Sequence, residues 1–168
     1  IHPKKNLDFI LQVLARPLRG RVELDVYGGA DDVKYDHQCH SLAAQLPNNI
    51  QVQFKGPVSH KNVFDTLYQY HLFVLPTLGE NFGHAIFESF SAARPVLISD
   101  KTPWRGLETS FAGWDLPLQD IVGYQAAIQQ LLDMEQPEFS KWVNGARNYA
   151  ANFLHQSDFN EKYSALFQ

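Results

Sequence analysis

Two short runs, His71 to Leu75 (HLFVL) and Pro95 to Ile98 (PVLI), constrain this chain more than any other feature. Side chains on a strand alternate between faces, so consecutive apolar residues make both faces apolar. Such a strand has to be covered on both sides, which is the condition of a parallel sheet packed between helices. Two other segments alternate instead: Arg21 to Tyr27 (RVELDVY), broken by Gly28-Gly29, and Ile50 to Phe54 (IQVQF), stopped at Gly56-Pro57. Gly113 to Leu118 adds a further short strand.

Between these runs the apolar period becomes helical. Leu7, Ile10, Leu11 and Leu14 form one stripe ended by Pro17. Ser59 is the expected N-cap of a helix carrying Val63, Phe64, Leu67 and Tyr68. Gly83 opens another, with Ile86, Phe87 and Phe90 on one side. From Gln119 onward the sequence reads as two or three helices separated near Pro137 and Gln156-Ser157. Strand and helix thus alternate, and the expected fold is α/β: a doubly wound parallel sheet in one domain over residues 1–168.

Composition narrows the function. The chain has 14 Lys and Arg against 18 Asp and Glu, a formal charge of -4. A protein that neutralises a phosphate backbone carries a basic surplus, so nucleic acid is not expected as a partner. Cys39 is the one cysteine, which excludes an internal disulfide and fits a reducing compartment. No apolar run approaches the ~20 residues of a membrane helix, and no signal-like segment is present. The sequence begins at Ile1 rather than at methionine, so the expectation is a piece of something longer.

Several familiar sites are absent: no G-x-S-x-G elbow, no Walker phosphate loop, no G-x-G-x-x-G turn and no D-x-D motif. His37, Cys39 and His40 suggest a metal at first sight. On a helix Cys39 falls ~100° from His40 and ~200° from His37, so the three do not converge on one ion. A solvated helix surface is expected there instead, and neither a metal nor a cofactor is expected in the chain.

The segment Leu75 to Glu88 (LPTLGENFGHAIFE) carries the chemistry. A buried strand delivers the chain to a loop at its carboxyl end, where ligands of open α/β sheets bind. Gly83 then starts a helix whose free N–H groups and positive dipole end suit phosphate. His84 and Glu88 are four apart and share a helix face near that mouth, and Glu80 lies in the loop itself. Carboxylates beside an anion site make sense for a ligand that also carries hydroxyl groups, which donate to them. Spacing alone leaves open that both glutamates are simply solvated.

The stretch Glu80-Asn81-Phe82-Gly83-His84-Ala85-Ile86-Phe87-Glu88 resembles the E-x7-E motif of retaining glycosyltransferases of the two-Rossmann-domain (GT-B) type, family 4 especially. Other pieces resemble the family in the matching order. His2-Pro3-Lys4-Lys5-Asn6 is similar to the end of its R-x-x-x-x-K segment, and Phe54-Lys55-Gly56-Pro57-Val58 to its F-x-G-x-V strand end. His71 to Thr77 resembles the strand before the motif, and Ala93-Arg94-Pro95-Val96-Leu97 the strand after it. The resemblance covers essentially the whole chain, as the Rossmann-like C-terminal half of a GT-B fold.

What the resemblance implies is a nucleotide-sugar-binding domain. Glu88 would accept hydrogen bonds from ribose hydroxyls, and Glu80 would sit by the hydroxyls of the donor sugar. Backbone N–H groups around Phe82, Gly83 and His84 would hold the sugar and distal phosphate. Lys5 would neutralise the diphosphate leaving group, whose charge grows as the glycosidic bond breaks, and Gly56, Pro57 and Val58 would border the base. The implied reaction moves a sugar from a nucleoside diphosphate sugar to a glycan or lipid-linked acceptor with retention, in polysaccharide or glycoconjugate synthesis. The acceptor would be held by an N-terminal domain absent from this sequence, so the isolated chain would bind but not turn over. The implied location of the parent is cytoplasmic, with peripheral docking at a membrane. The family's arginine ahead of Lys5 is missing, and Thr102-Pro103-Trp104-Arg105-Gly106-Leu107 stands where it has Gly-Gly-x-x-E; Trp104 is expected to pack. Two other readings share the architecture: a nucleotide-sugar epimerase or phosphorylase-like half, and a non-enzymatic interaction module of receiver type.

Overall fold

A computed structural model describes residues 1–156. After a 3-10 turn at Pro3–Lys5, the elements run α1 (Leu7–Leu14), β1 (Val22–Tyr27), α2 (Val33–Ala43), β2 (Ile50–Gly56), α3 (Val63–Leu67) and β3 (Phe73–Leu75). They continue with α4 (His84–Ser91), β4 (Val96–Ser99), β5 (Gly113–Leu116), α5 (Ile121–Asp133) and α6 (Gln136–Gln156).

Every strand pairing is parallel, as the alternation predicts, but the strands form two ladders: β1 with β2, and β3-β4-β5 with β4 central. β4 shows why the continuous runs matter. Val96 and Ile98 pack with Phe90 of α4 and Ala146 and Ala150 of α6, while Leu97 joins Ile10, Val13 and Leu14 of α1 and Tyr124 of α5. Helices therefore cover both faces of the three-stranded ladder. β1 is covered on one face only: Val22 and Leu24 join the core, whereas Glu23 and Tyr27 are exposed. Trp142 of α6 stacks on Trp114 of β5 with ring centroids 4.1 Å apart, which ties the last helix to the sheet.

Element ends follow local chemistry. The Asp32 carboxylate accepts from the Tyr35 N–H and caps α2. Ser59 makes no side-chain cap; the Asn62 N–H bonds its carbonyl, giving a 3-10 turn at His60–Asn62 before the short α3. Pro137 lies in the first turn of α6, where its missing N–H costs nothing, so α5 and α6 separate ahead of it. The expected break at Gln156-Ser157 lies outside the described residues. The helix around Cys39 is not wholly a solvated surface. The thiol is fully buried in a cluster with Leu11 and Tyr35, while His37 and His40 are exposed. Among the described residues no helix is long and apolar enough to cross a membrane.

Candidate donor site

The carboxyl end of β3 runs into Pro76 and Thr77, both buried, and then into a loop that α4 closes. Gly83 caps α4 with φ 80° and ψ 65°, a left-handed conformation in which a side chain is strained. Its carbonyl accepts from the Ile86 and Phe87 N–H groups at 2.9 and 3.2 Å. The N–H groups of Gly83, His84 and Ala85 have no acceptor among the described residues. They border a cleft of about 350 Å³, lined by Lys4, Lys5, Leu75, Asn81 and Phe82 as well as Glu80.

Lys5 reaches this cleft from 75 residues away in the chain because residues 4–6 are laid across the end of β3. The Leu78 N–H donates to the Lys4 carbonyl at 2.8 Å, and the Asn6 side-chain amide donates to the Pro76 carbonyl at 3.0 Å. Asn6 itself sits at φ 59°, turning the chain from the 3-10 turn into α1. The result is an ion pair, Lys5 Nζ to Glu80 Oε1, at 2.6 Å. Glu80 is mostly buried, with 12% of its side chain exposed against 50% for Lys5. The cleft thus presents two lysines, one of them paired with a carboxylate, and a helix start within the same small volume.

Thr77 holds this arrangement from below. Its fully buried hydroxyl is 3.0 Å from Glu80 Oε1, 3.1 Å from the Lys4 carbonyl and 3.3 Å from the Gly79 carbonyl. One proton serves three acceptors, and the hydroxyl oxygen accepts from the Gly79 N–H in turn. The Ser99 hydroxyl donates to the Thr77 carbonyl, and the Glu80 N–H donates to the Lys101 carbonyl at 2.9 Å. The glutamate is therefore fixed by β4 as well as by its own loop. Sequence reasoning misses Thr77 and Ser99. The available signal is a small polar residue at the end of each fully apolar run.

Five of the expected site residues, Lys5, Glu80, Phe82, Gly83 and His84, line one cleft. Glu88 lies one turn further along α4, on the His84 face, with 23% of its side chain exposed. The imidazole of His60 approaches it to 3.8 Å, so the segment after β2 comes alongside. Gly56, Pro57 and Val58 themselves stand outside the cleft lining. Gly56 ends β2 at φ 73° and its carbonyl accepts from the Gly28 N–H at 3.0 Å.

Residues 1–149 match the family model described as glycosyl transferases group 1. The chain belongs to that family. A curated relative, the alpha-galactosylglucosyldiacylglycerol synthase of Streptococcus pneumoniae, is 30% identical over 146 residues, covering 83% of this chain and 37% of that protein. The D-inositol 3-phosphate glycosyltransferase of Streptomyces coelicolor is 31% identical over 105 residues, covering 58% and 23%. The chain therefore spans less than two fifths of the length of these relatives. In fold it is similar to a variant of S. aureus TarM crystallised with fondaparinux, alpha-GlcNAc-glycerol and UDP, at TM-score 0.71 and 18% identity over 100% of this chain and 34% of that one. It also resembles the catalytic domain of the Helicobacter pylori cholesterol-alpha-glucosyltransferase, at TM-score 0.63 and 17% identity over 90% and 92%. The α/β fold with parallel strands is thus that of solved GT-B glycosyltransferases.

Proposed function

We propose that this chain is the donor-binding domain of a retaining glycosyltransferase, and that its cleft takes a nucleoside diphosphate sugar. The observation that supports this most is the meeting of Lys5, Glu80 and the unpaired N–H groups of Gly83 and His84 in one cleft. A diphosphate needs positive charge and N–H donors, which Lys5 and the start of α4 offer without a metal. The sugar and ribose need acceptors for their hydroxyl groups, which Glu80 and Glu88 offer. Gly56, Pro57 and Val58, beyond His60, would border the base. As the glycosidic bond breaks, charge accumulates on the departing diphosphate, and Lys5 would follow it. The Lys5–Glu80 pair means that donor binding exchanges one partner of each group for another, rather than filling an uncompensated site.

The acceptor, a glycan or lipid-linked molecule, would be held by a second domain across the cleft, in a parent enzyme working at the cytoplasmic side of a membrane. Two solved fold neighbours, TarM and the pneumococcal O-GlcNAc transferase GtfA, were crystallised with UDP, which supports a nucleotide as the class of ligand. Without the second domain an acceptor is not held for attack, and proximity gains of roughly 7–11 kcal/mol are lost. The isolated chain is expected to bind donor and transfer nothing. Titration calorimetry with UDP, GDP and ADP tests the reading, with excess chelator in a parallel series. Binding of at least one of them, unaffected by chelator and weakened by Glu88→Ala, is the expected result. No binding of any of the three at millimolar concentration would overturn it.

A further inference from the structure

We propose that Trp104 is a positioning residue of the donor site, its indole N–H holding the Phe82 carbonyl so that the Gly83 N–H at the start of α4 is aimed into the cleft. The inference rests on the donor-site reading above and gives a role to the loop after β4, where the sequence departs from its family.

The indole Nε1 donates to the Phe82 carbonyl at 2.6 Å. A peptide unit is planar and trans, so its C=O and its N–H point in opposite directions. Fixing the Phe82 carbonyl toward Trp104 therefore fixes the Gly83 N–H away from it. Trp104 is buried, with 2% of its surface exposed, in the cluster of Ile86, Phe90, Val96 and Ile98. Gly83 lines the cleft and Trp104 does not, which is the arrangement expected if the N–H opposite the held carbonyl faces the cleft. Gly83 also lacks the side chain that would stand 3.5 Å from Trp104 Nε1 and 2.8 Å from Ile86 Cδ1. A Cβ there would stand in ordinary contact with the indole and crowd only the tip of Ile86, so the demand for glycine comes from the positive φ of 80°.

The indole is itself held on every side. Its ring lies near-parallel to Phe87 at 5.8 Å, and meets Phe90 at 5.5 Å and Phe82 at 5.1 Å, both edge-on. Its backbone is pinned as firmly. The Arg105 guanidinium donates to the carbonyls of Trp104 and Asp100, and the Asp115 carboxylate accepts from the N–H groups of Gly106 and Leu107. Tyr149 of α6 donates to the Arg105 carbonyl at 2.8 Å. A phenylalanine would fill most of this space, but it carries no donor to hold the Phe82 carbonyl.

A structural and a positioning role predict different losses. The test replaces Trp104 by benzothienylalanine, which keeps the bicyclic shape and substitutes sulfur for the N–H, with Trp104→Phe as the second variant. Titrations use UDP, GDP and ADP, each against its free nucleoside, on wild type and variants. Loss of one well-placed hydrogen bond to the ligand cradle is expected to weaken the diphosphate that wild type binds by about tenfold. Affinity for the matching nucleoside should stay within about twofold, because the ribose is met by Glu88 on the rigid helix. The indole N–H resonance of Trp104, identified by its disappearance in the variants, should exchange slowly and shift when diphosphate is added. Equal diphosphate affinity in wild type and the benzothienyl variant overturns the positioning role alone. Proportional loss of diphosphate and nucleoside also overturns it, since that is the mark of a general packing defect. Absence of any diphosphate binding by wild type overturns the site reading and this role with it.

Discussion

All four residues of β4 are buried, whereas burial along β2 alternates from Ile50 to Gly56. The two strands thus stand in different physical situations. β4 is packed from both sides, so a backbone shift there disturbs two clusters at once. β2 turns Gln51, Gln53 and Lys55 to solvent, and its far end leads into a segment, Pro57 to Asn62, in which no residue is buried. The cleft inherits this asymmetry. Gly83 and Glu80 rest on β4 and the loop after it through Ser99, Lys101 and Trp104, while Gly56, Pro57, Val58 and His60 hang from β2. On the proposed reading, the diphosphate and sugar end is rigid and the base end can adjust. That division suits a site in which the diphosphate must be held the same way whatever base is attached.

Substituting one glycine in each half gives the largest contrast. Gly113 begins β5 at φ 146°, and a Cβ there would lie 2.0 Å from the Val96 carbonyl oxygen across the ladder. The clash is with backbone of a buried strand, so it cannot be relieved by a rotamer change. Gly113→Ala is expected to cost about 4 kcal/mol or more and to leave little soluble protein. Gly56 has a positive φ too, 73°, but a methyl group there would meet nothing within 4 Å. Gly56→Ala should cost only about 1–2 kcal/mol, the strain of a left-handed residue. Urea unfolding of both variants checks this, and comparable losses would dissolve the distinction between the halves.

Core truncation sharpens the same contrast at smaller scale. Leu97 is fully buried at the centre of β4 and Val52 is only half-buried on β2. Leu97→Ala should lose about 2–5 kcal/mol, because the tightly packed surroundings cannot collapse into the cavity. Val52→Ala should lose about 1–2 kcal/mol for the smaller area returned to water. At the junction of the two halves, Glu88→Gln keeps the size of the side chain and removes its charge. Nucleotide affinity should fall about tenfold with the unfolding midpoint nearly unchanged. Calorimetry and thermal unfolding on one preparation separate the two effects.

The sequence makes the rigid half easier to read than the open one. HLFVL and PVLI reveal β3 and β4 because strands covered on both faces have no polar positions to confuse the pattern. The start of α4 is legible from Gly83 for an equally local reason. Grouping into two ladders is not, since apolar patterning identifies strands without saying which edges pair. The burial of Cys39 has a sequence signal: Tyr35, Cys39 and Leu42 are spaced four and three apart, a helical stripe hidden by the chemically attractive histidines beside it. The Lys5–Glu80 pair lies beyond any local reading, because it depends on where residues 4–6 cross β3. Family resemblance points to both residues and includes Thr77 in a matched strand, but it assigns no role to Thr77 or to the Trp104 contact that brace their surroundings.

The smallest expected effect concerns what holds the polar face of the β1–β2 ladder in place of a core. The Tyr70 hydroxyl donates to Asp25 Oδ2 at 2.6 Å and lies 2.8 Å from the Tyr27 hydroxyl, while Lys55 approaches the same carboxylate at 3.4 Å. Tyr70→Phe should therefore cost about 0.5–1.5 kcal/mol at neutral pH, the net worth of one hydrogen bond. Burial, reinforced by Asp25 and Tyr27, pushes the Tyr70 phenol above its ordinary pKa of 10.0. Below the ordinary tyrosine range the phenol is neutral in both folded and unfolded chains, and stability is insensitive to it. Above that range the unfolded chain releases the proton while the folded protein retains it, so stability falls as pH rises. Tyr70→Phe should start lower and decline less steeply, its curve converging on that of wild type in alkali. Urea unfolding at a series of pH values from neutral to alkaline reads both slopes. Parallel curves would mean that the network contributes nothing that depends on the Tyr70 proton, and that the open half is held by its single apolar face alone.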